Sequence, residues 1–321
     1  MVTSSIIAKF AISKITDMIT DISIVIPVYN RAHTLRQTLA SLDAQQVQAD
    51  AVILVDNNST DGSADIIAEW VSKHAHALSV KELKPGATAA RNRGLREVTT
   101  RYVMFFDSDD VMEPRHVADF AQGLRDNPGC DILGRDIEMH LHGGKVKTGR
   151  FVARNAMFYH LVLGSLSTQR YVVLTDLVRR VGGWNESIAG WNDFELGVRL
   201  LLQRPKVVKL SGPPTVKTFV QADSITRSRF SETPERWESS LKQCRQSCID
   251  GGRHDLLKWL DMRAMVLAAH YMREGDVANA QRLYQATLQA TPYKVRMRLL
   301  YYHNRLFKRF TWLAARMLFL K

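Results

Sequence analysis

The sequence predicts an α/β protein in which a mostly parallel, Rossmann-like sheet carries flanking helices and a helical C-terminal region follows. Three observations support this prediction. From residue 21 onward, short apolar runs alternate with segments of helical periodicity. Polar or acidic residues come directly after several of the apolar runs. Beyond residue 226 the periodicity is helical.

Each predicted strand precedes its own predicted helix, which is the order of a sheet built from parallel strands with crossover helices. The strands are continuous apolar runs, as expected for strands buried on both faces. The four pairs, strand first, are Ile22 to Val28 with Thr34 to Gln46, Ala51 to Val55 with Ser63 to Lys73, Leu78 to Leu83 with Thr88 to Glu97, and Tyr102 to Phe106 with Pro114 to Asn127.

Three segments follow from this pattern: 1–20, 21–226 and 227–321. The first is a leader or amphipathic cap, because its apolar residues are interrupted by charges and are too few to cross a bilayer. The second is the α/β domain. The third is helical, and it contains one helix pair of tetratricopeptide type, whose marker residues are Leu267, Tyr271, Gly275, Asp276, Ala280, Tyr284 and Pro292.

Polar loops stand at the carboxyl ends of three predicted strands, where open sheets of this kind bind their ligands. Each loop alone is also ordinary turn and helix-cap chemistry, but their convergence on one edge favours a binding crevice. The loop residues are Pro27, Val28, Tyr29, Asn30, Asp56, Asn57, Asp107, Ser108, Asp109 and Asp110.

The third loop crowds three carboxylates, Asp107, Asp109 and Asp110, at the end of an apolar run. Clustered carboxylates repel one another, so a cation stabilises them. Mg²⁺ and Mn²⁺ take oxygen ligands and bridge one or two carboxylates to substrate phosphates. The loop therefore predicts a divalent cation (Mn²⁺ or Mg²⁺) bound with a diphosphate. The alternative is an acidic turn in which Asp110 caps the next helix.

The net charge of +12 comes mostly from the C-terminal tail, because residues 277–321 hold nine Lys or Arg and no Asp or Glu. This uneven distribution argues against nucleic acid as a partner. From Tyr293 the tail also carries many apolar residues, which is typical of a helix lying on an anionic bilayer. The alternative is a helix packed on its own domain with a solvated basic face.

Only three cysteines are present, Cys130, Cys244 and Cys248, and they form neither a zinc pattern nor a disulfide framework. We therefore expect a cytoplasmic protein, with peripheral contact to the inner face of the membrane if the tail binds lipid.

The order of these motifs resembles the family-2 glycosyltransferases of the GT-A fold over about residues 21 to 225. Four segments in sequence carry the resemblance: Ser23 to Asn30, Val55 to Gly62, Gly86 to Gly94, and the DxD-like Asp107-Ser108-Asp109. A fifth, Gly182 to Glu186 followed by Trp191 to Leu196, resembles the acceptor-side segment that ends in the family's catalytic acid.

The resemblance implies a metal-dependent, inverting glycosyltransferase. It would move a sugar from a nucleotide-diphosphate donor to a glycan or lipid-linked acceptor in surface polysaccharide or lipopolysaccharide biosynthesis. The implied donor site consists of Pro27 to Asn30, Asp56, Asn57, Arg91, Asn92, Asp107 and Ser108, with Asp107, Asp109 and Asp110 as metal ligands. The rival function is a non-catalytic nucleotide-sugar-binding or scaffold module with the same fold.

Asp193 aligns with the family's catalytic acid and precedes an apolar helix, so the resemblance makes it the base that deprotonates the acceptor. Helix capping by Asp193 is the alternative, and Glu195 is its nearest competitor for the catalytic role. Trp184, Glu186 and Trp191 are expected on the acceptor side, although core packing equally explains both tryptophans. Many relatives carry two acids where this chain has Asp56 and Asn57, so the nucleobase of the donor stays open.

Overall fold

A computed structural model describes residues 20–220 and 229–307. The described chain forms two compact units, each discontinuous in sequence. Unit 1 comprises residues 20–154, 166–186 and 205–220, and unit 2 comprises residues 155–165, 187–204 and 229–307. The sequence predicts that the α/β domain continues to residue 226 without interruption, whereas residues 155–165 and 187–204 belong to the helical unit.

Unit 1 is built on a seven-stranded sheet in the order β10-β6-β9-β4-β1-β2-β3. The strand bounds are β1 Ile22–Val28, β2 Ala51–Asp56, β3 Ala77–Lys81, β4 Tyr102–Phe105, β6 Ile132–Gly134, β9 Tyr171–Leu174 and β10 Val207–Lys209. The first strand has the predicted bounds, and its burial on both faces explains its continuous apolar sequence.

The strands β4, β1, β2 and β3 are parallel neighbours, so their carboxyl ends share one edge. In this register Pro27 pairs with Val55, and Val28 pairs with Asp56. Strand β9 runs antiparallel to both β4 and β6. The segment that enters β9 therefore lies at the same edge as the residues that leave β4.

Five helices belong to unit 1: α1 Ala32–Asp43, α2 Ser63–Val71, α3 Ala87–Glu97, α4 His116–Asp126 and α6 Thr175–Arg180. Helix α3 packs closely on the sheet, because a Cβ at Gly94 would overlap the side chain of Val25 and crowd Val55. This close approach determines where the residues of α3 project at the sheet edge.

A second, four-stranded sheet in unit 1 has the order β5-β11-β7-β8. Its strands are β5 Val111–Met112, β7 Ile137–Leu141, β8 Lys145–Gly149 and β11 Val216–Phe219. Because β5 directly follows the acidic loop, the end of that loop is tied to this sheet.

Unit 2 is helical and has its own apolar core. Its helices are α5 Ala156–Leu163, α7 Asn192–Leu202, α8 Pro234–Asp250, α9 Leu257–Glu274, α10 Val277–Ala290 and α11 Lys294–Leu306. Leu161 of α5 and Phe194 and Val198 of α7 are buried in this core together with residues of α8 and α9. This packing explains why α5 and α7 group with the C-terminal helices.

Helices α9 and α10 form the expected helix pair, with buried Leu267, Tyr271 and Ala280. Gly275 ends α9 at φ 92°, and Asp276 caps α10 by accepting a hydrogen bond from Asn279 N–H at 3.1 Å. The proposed leader, except residue 20, and the end of the basic tail, residues 308–321, lie outside the described residues. Within the described ranges, we find no helix with the length and apolar content to span a membrane.

Candidate functional site

Side-chain hydrogen bonds join the loops that follow β1 and β2. Asn30 has a positive φ of 49°, which Asn adopts more readily than most residues. Its Oδ1 accepts a hydrogen bond from Thr60 N–H at 2.8 Å, and its own N–H donates to Ser59 Oγ at 3.2 Å. Tyr29 is exposed and Val28 is buried. The first predicted loop therefore has an open rim above a buried strand end.

Asn57 is buried, and its amide is engaged within the chain. Its Nδ2 donates to the carbonyls of Glu82 and Lys84, both at 2.8 Å, and its Oδ1 accepts from Gly86 N–H at 2.8 Å. The family resemblance implies that the oxygen of this amide accepts a hydrogen bond from a nucleobase N–H. In the structure the amide instead holds the segment 82–86, which leads into α3. Asp56 similarly accepts a bond from its own loop, from Ser59 N–H at 3.2 Å.

We expect Asn57→Asp to lower the free energy of unfolding by at least about 2 kcal/mol. A carboxylate cannot donate to the two carbonyls, and its second oxygen would lie buried against them where the Nδ2 donor stood; a buried polar group left without a partner costs about 1–3 kcal/mol, more when it is charged. Urea unfolding at neutral pH measures the loss. Asn58→Asp is the matched control, because Asn58 makes similar bonds from an exposed position, to Glu82 and Leu83. Equal losses in the two variants would contradict the assignment.

Asp107, at the end of β4, is held between two hydrogen-bond donors. Arg91 Nη2 of α3 lies 2.6 Å from its Oδ1, and Gln169 Nε2 donates to its Oδ2. Arg91 is buried, and its Cζ lies 4.5 Å from the centroid of the Trp184 ring. The ion pair and the cation–π contact together fix the guanidinium. A positive charge therefore lies at the base of the acidic loop.

The two other acids of the loop differ in exposure. The Asp109 carboxylate is partly exposed and lies 3.7 Å from Arg31 Nε. Asp110 is buried, and its Oδ1 accepts a hydrogen bond from Phe219 N–H of β11 at 3.1 Å. Burial raises the pKa of Asp110 well above its usual value, and the charges of Asp107 and Asp109 raise it further. The three carboxylates are therefore close enough to interact.

The side chains of the acidic loop suit a hard divalent cation, because carboxylate oxygens are preferred ligands of Mg²⁺ and Mn²⁺. The side chains of Asp107 and Asp109 are 31% and 19% exposed, whereas Asp110 is buried. In residues 20–220 and 229–307, no group of three or more His, Cys, Asp or Glu is arranged to hold a metal ion. The three predicted metal ligands are therefore not already arranged to hold an ion, and one or two of these carboxylates suit a cation.

Side-chain hydrogen bonds also hold the acidic loop to α1 and the segment 184–186 to α3. The carbonyl of Ser108 accepts a hydrogen bond from Thr34 Oγ1 of α1 at 3.2 Å. Asn92 Nδ2 donates to Glu186 Oε1 at 2.7 Å and to the Trp184 carbonyl at 2.8 Å. Asn92 Oδ1 accepts from Trp184 N–H at 2.8 Å. Asn92 therefore positions the segment 184–186 in this structure.

Glu186 joins this segment to the loop before α3, since its Oε2 lies 2.7 Å from Lys84 Nζ. Hydrogen bonds from Asn92 and then Lys84 hold the pKa of Glu186 below its usual value, so it stays ionised at neutral pH. The Trp184 ring is 2% exposed and packs edge-on to Phe105 at 5.1 Å between centroids. Its burial favours core packing over the predicted contact with an acceptor sugar.

In unit 2, Asp193 lies in the first turn of α7. Trp191 occupies the N-cap position, so the alternative in which Asp193 caps the helix is not observed. Asp193 Oδ1 accepts a hydrogen bond from Phe194 N–H at 2.7 Å. Burial lowers the pKa of Arg263 to about 10, and the nearby negative charge of Asp193 acts in the opposite direction. Asp193 is therefore a partly exposed acid with a cation nearby.

The competing acid, Glu195, is 1% exposed and paired with Arg199 one turn later in α7. Arg199 Nε and Nη2 lie 2.6 Å from its two carboxylate oxygens. A carboxylate bound on both oxygens is poorly placed to accept a proton from a substrate. Trp191 is partly exposed, with its ring 5.4 Å from the Trp237 ring and 5.6 Å from Arg263 Cζ.

Two residues that contact the acidic loop, Arg31 and Gln169, are not among the site residues predicted from the sequence. Arg31 directly follows the first polar loop, so its position at a strand end was a usable signal. Gln169 precedes β9, and it reaches Asp107 because β9 runs antiparallel to β4. No local pattern in the sequence reveals that strand reversal.

The chain is similar to known proteins in both sequence and fold. Residues 23–161 match the family model described as Glycosyl transferase family 2. A 160-residue stretch is 40% identical to an uncharacterized glycosyltransferase of Haemophilus influenzae, covering 50% of this chain and 62% of that protein. The chain spans 14–39% of the length of the first curated relatives that it matches.

Two solved structures share the fold. S. aureus TarS 1–349 in complex with UDP-GlcNAc superposes with a TM-score of 0.69 at 17% identity, covering 89% of this chain and 87% of that one. Mannosyltransferase PcManGT from Pyrobaculum calidifontis, in complex with GDP-Man and Mn²⁺, gives a TM-score of 0.52 at 17% identity, covering 92% and 86%. These likenesses confirm the predicted GT-A fold.

Proposed function

Because residues 23–161 match the family model described as Glycosyl transferase family 2, we propose that this protein transfers a sugar from a nucleotide-diphosphate donor to a glycan or lipid-linked acceptor. The observation that carries the proposal is the edge of the unit 1 sheet. There, Asp56 ends a buried strand, Asp107 and Asp109 follow another, and the buried cation Arg91 pairs with Asp107. Such an edge suits a ligand that combines a nucleoside with an anionic diphosphate.

The donor would occupy the edge between the loop after β1 and the acidic loop. The open rim at Tyr29 and Asn30 and the carboxylate of Asp56 offer a flat surface and hydrogen-bond acceptors for the nucleoside. Arg91 lies in α3, near its N-terminus, where positive charge and the helix dipole favour an anion. Asn57 and Asn92 act on the donor indirectly in this proposal, by holding the segments 82–86 and 184–186 in place.

We infer that Asp107 and Asp109 would hold a divalent cation, Mn²⁺ or Mg²⁺, with Asp110 supporting the loop from behind. When bound, such an ion stabilises the negative charge that grows on a departing nucleoside diphosphate. Arg91 and Gln169 orient Asp107 by donating to its two oxygens, and each oxygen keeps a second lone pair that a cation can use. The complex of a mannosyltransferase of this fold with Mn²⁺ supports the choice of ion.

Asp193 is our proposed general base, which accepts the proton of the acceptor hydroxyl as that oxygen attacks the anomeric carbon. Attack opposite the leaving group inverts the configuration at that carbon. The occupied carboxylate of Glu195 supports the choice of Asp193. Trp191, which is partly exposed next to this base, is the proposed aromatic contact for an acceptor sugar.

Surface polysaccharide or lipopolysaccharide biosynthesis in the cytoplasm is the setting that we propose. The three cysteines support the compartment, because all of them are buried free thiols. The rival is a non-catalytic nucleotide-sugar-binding or scaffold module. The presence of Asp107, Asp109 and Asp193 together favours catalysis, since a module without turnover has no need for all three placed acids.

Calorimetric titration of UDP, GDP, dTDP and CMP, each with Mn²⁺ and with EDTA, tests the donor site. We expect one nucleoside diphosphate to bind with Mn²⁺ and at least tenfold more weakly with EDTA. Release of that diphosphate from the matching nucleotide sugar then separates an enzyme from a binding module. Absence of binding by every nucleotide would overturn the proposal, and binding without turnover would support the rival.

A further inference from the structure

Helix α11, Lys294–Leu306, has two apolar faces. One is buried in the core of unit 2 and consists of Met297, Leu300 and Tyr301. The other consists of Val295, Leu299, Tyr302 and Leu306, which are 68%, 57%, 51% and 72% exposed. We call this second set the α11 stripe. Helix α11 therefore packs on its own unit through one face and leaves a second apolar face exposed.

The α11 stripe is a continuous surface. With 3.6 residues per turn, its four residues fall within about 60° of one another and about 180° from the buried face. Phe307, directly after the helix, is also 58% exposed. Large apolar side chains exposed as a group, rather than singly, mark a surface that contacts a partner or a membrane.

Basic residues border the stripe on both sides. The same helical geometry places Lys294, Arg298 and Arg305 about 90° to one side and Arg296 about 90° to the other. All four are exposed. The helix contains no Asp or Glu, and residues 308–321 add four more basic residues and no acid. This charge pattern complements a surface of uniform negative charge.

We propose that the α11 stripe docks on an anionic lipid surface. The apolar side chains enter the boundary between head groups and acyl chains, and the flanking Lys and Arg side chains extend to the lipid phosphates. A protein partner would need an acidic rim on both sides of an apolar groove, whereas an anionic bilayer supplies that pattern everywhere. The inference is independent of the proposed transferase activity, because lipid binding needs no donor.

Co-sedimentation of the full chain with lipid vesicles tests the proposal. We expect binding to vesicles of equal parts phosphatidylcholine and phosphatidylglycerol, weaker binding as sodium chloride is added, and no binding to phosphatidylcholine alone. Each Lys or Arg near an anionic surface contributes about fivefold in partitioning, so Arg298→Gln with Arg305→Gln should weaken binding about thirtyfold. Leu299→Gln with Leu306→Gln should weaken it at least about tenfold.

Lys145→Gln with Val146→Gln is the matched control, because it removes one exposed basic and one exposed apolar residue from β8. It should bind vesicles as the parent chain does. Circular dichroism and thermal unfolding show whether each variant folds, and the comparison of the two lipid compositions needs no variant. Equal binding to both compositions, or binding unchanged in the stripe variants, would overturn the proposal. So would a dimer in light scattering that the stripe variants dissociate in the absence of vesicle binding.

Discussion

Replacing Asp109 with Ala is expected to abolish the metal-dependent part of nucleotide binding and to lower turnover about a hundredfold or more. A divalent cation contributes several kcal/mol to stabilising a leaving diphosphate, and about 1.4 kcal/mol corresponds to each factor of ten. Asp109 is the residue to change because its partner Arg31 is partly exposed, whereas Asp107 is the partner of buried Arg91. Its removal therefore perturbs the fold least.

The measurement is calorimetric titration of the nucleoside diphosphate with Mn²⁺ and with EDTA, on the parent chain and the variant. The side chains of Asp109 and Arg31 are 19% and 21% exposed, so loss of this pair should cost more than that of a fully exposed pair, which contributes about 0–1 kcal/mol, and urea unfolding of the variant measures that cost. Asp176→Ala is the control, because Asp176 is 74% exposed on α6. If Asp109→Ala retains the full difference between Mn²⁺ and EDTA, the acidic loop is not the metal site.

The first half of unit 1 was predictable because its elements depend on local patterns. Buried parallel strands such as β1 have few alternatives to a continuous apolar sequence, and the polar residues after them mark the sheet edge. Helix ends were less well predicted: α1 begins at Ala32 and ends at Asp43, against a prediction of 34 to 46. The residues near a helix end differ little in helical preference, so tertiary contacts decide the ends.

The discontinuous units could not be predicted from local patterns. Helices α5 and α7 are apolar and would suit either unit, and only their packing with α8 and α9 assigns them to unit 2. Likewise, the antiparallel direction of β9 is a property of the whole sheet, so the contact of Gln169 with Asp107 depends on residues 62 positions apart. Such contacts leave no short-range signature.

The same distinction, between a residue's local position and its long-range contacts, applies to the predicted site residues. Asp107 and Asp109 follow a strand end, where position alone brings a side chain to the edge. Asn57 also follows a strand end and Asn92 lies in α3, yet their amides are occupied by backbone groups of segments 82–86 and 184–186. A short amide side chain carries both a donor and an acceptor, so it serves a ligand and a loop equally well. The sequence pattern cannot distinguish these two uses.

Replacing Asp193 with Asn is expected to lower kcat by about two to four orders of magnitude with little change in donor affinity, because general base catalysis contributes about that much. The amide retains an oxygen that can accept the hydrogen bond from Phe194 N–H, so α7 should keep its first turn. Steady-state release of nucleoside diphosphate gives kcat, and calorimetry with the donor gives its affinity.

Glu195→Gln separates this role from a structural one. Glu195 is buried and paired with Arg199 through both oxygens, so its change should lower the free energy of unfolding, by up to about 3–5 kcal/mol, while the folded fraction keeps its turnover. Asp193→Asn should instead lose turnover, with a smaller loss in the free energy of unfolding than Glu195→Gln, because Asp193 is partly exposed although its charge acts on buried Arg263. If kcat instead falls with Glu195→Gln in folded protein and persists with Asp193→Asn, the proton acceptor is Glu195. The partial exposure of Asp193, and the ion pair that occupies both oxygens of Glu195, favour Asp193 as the proton acceptor.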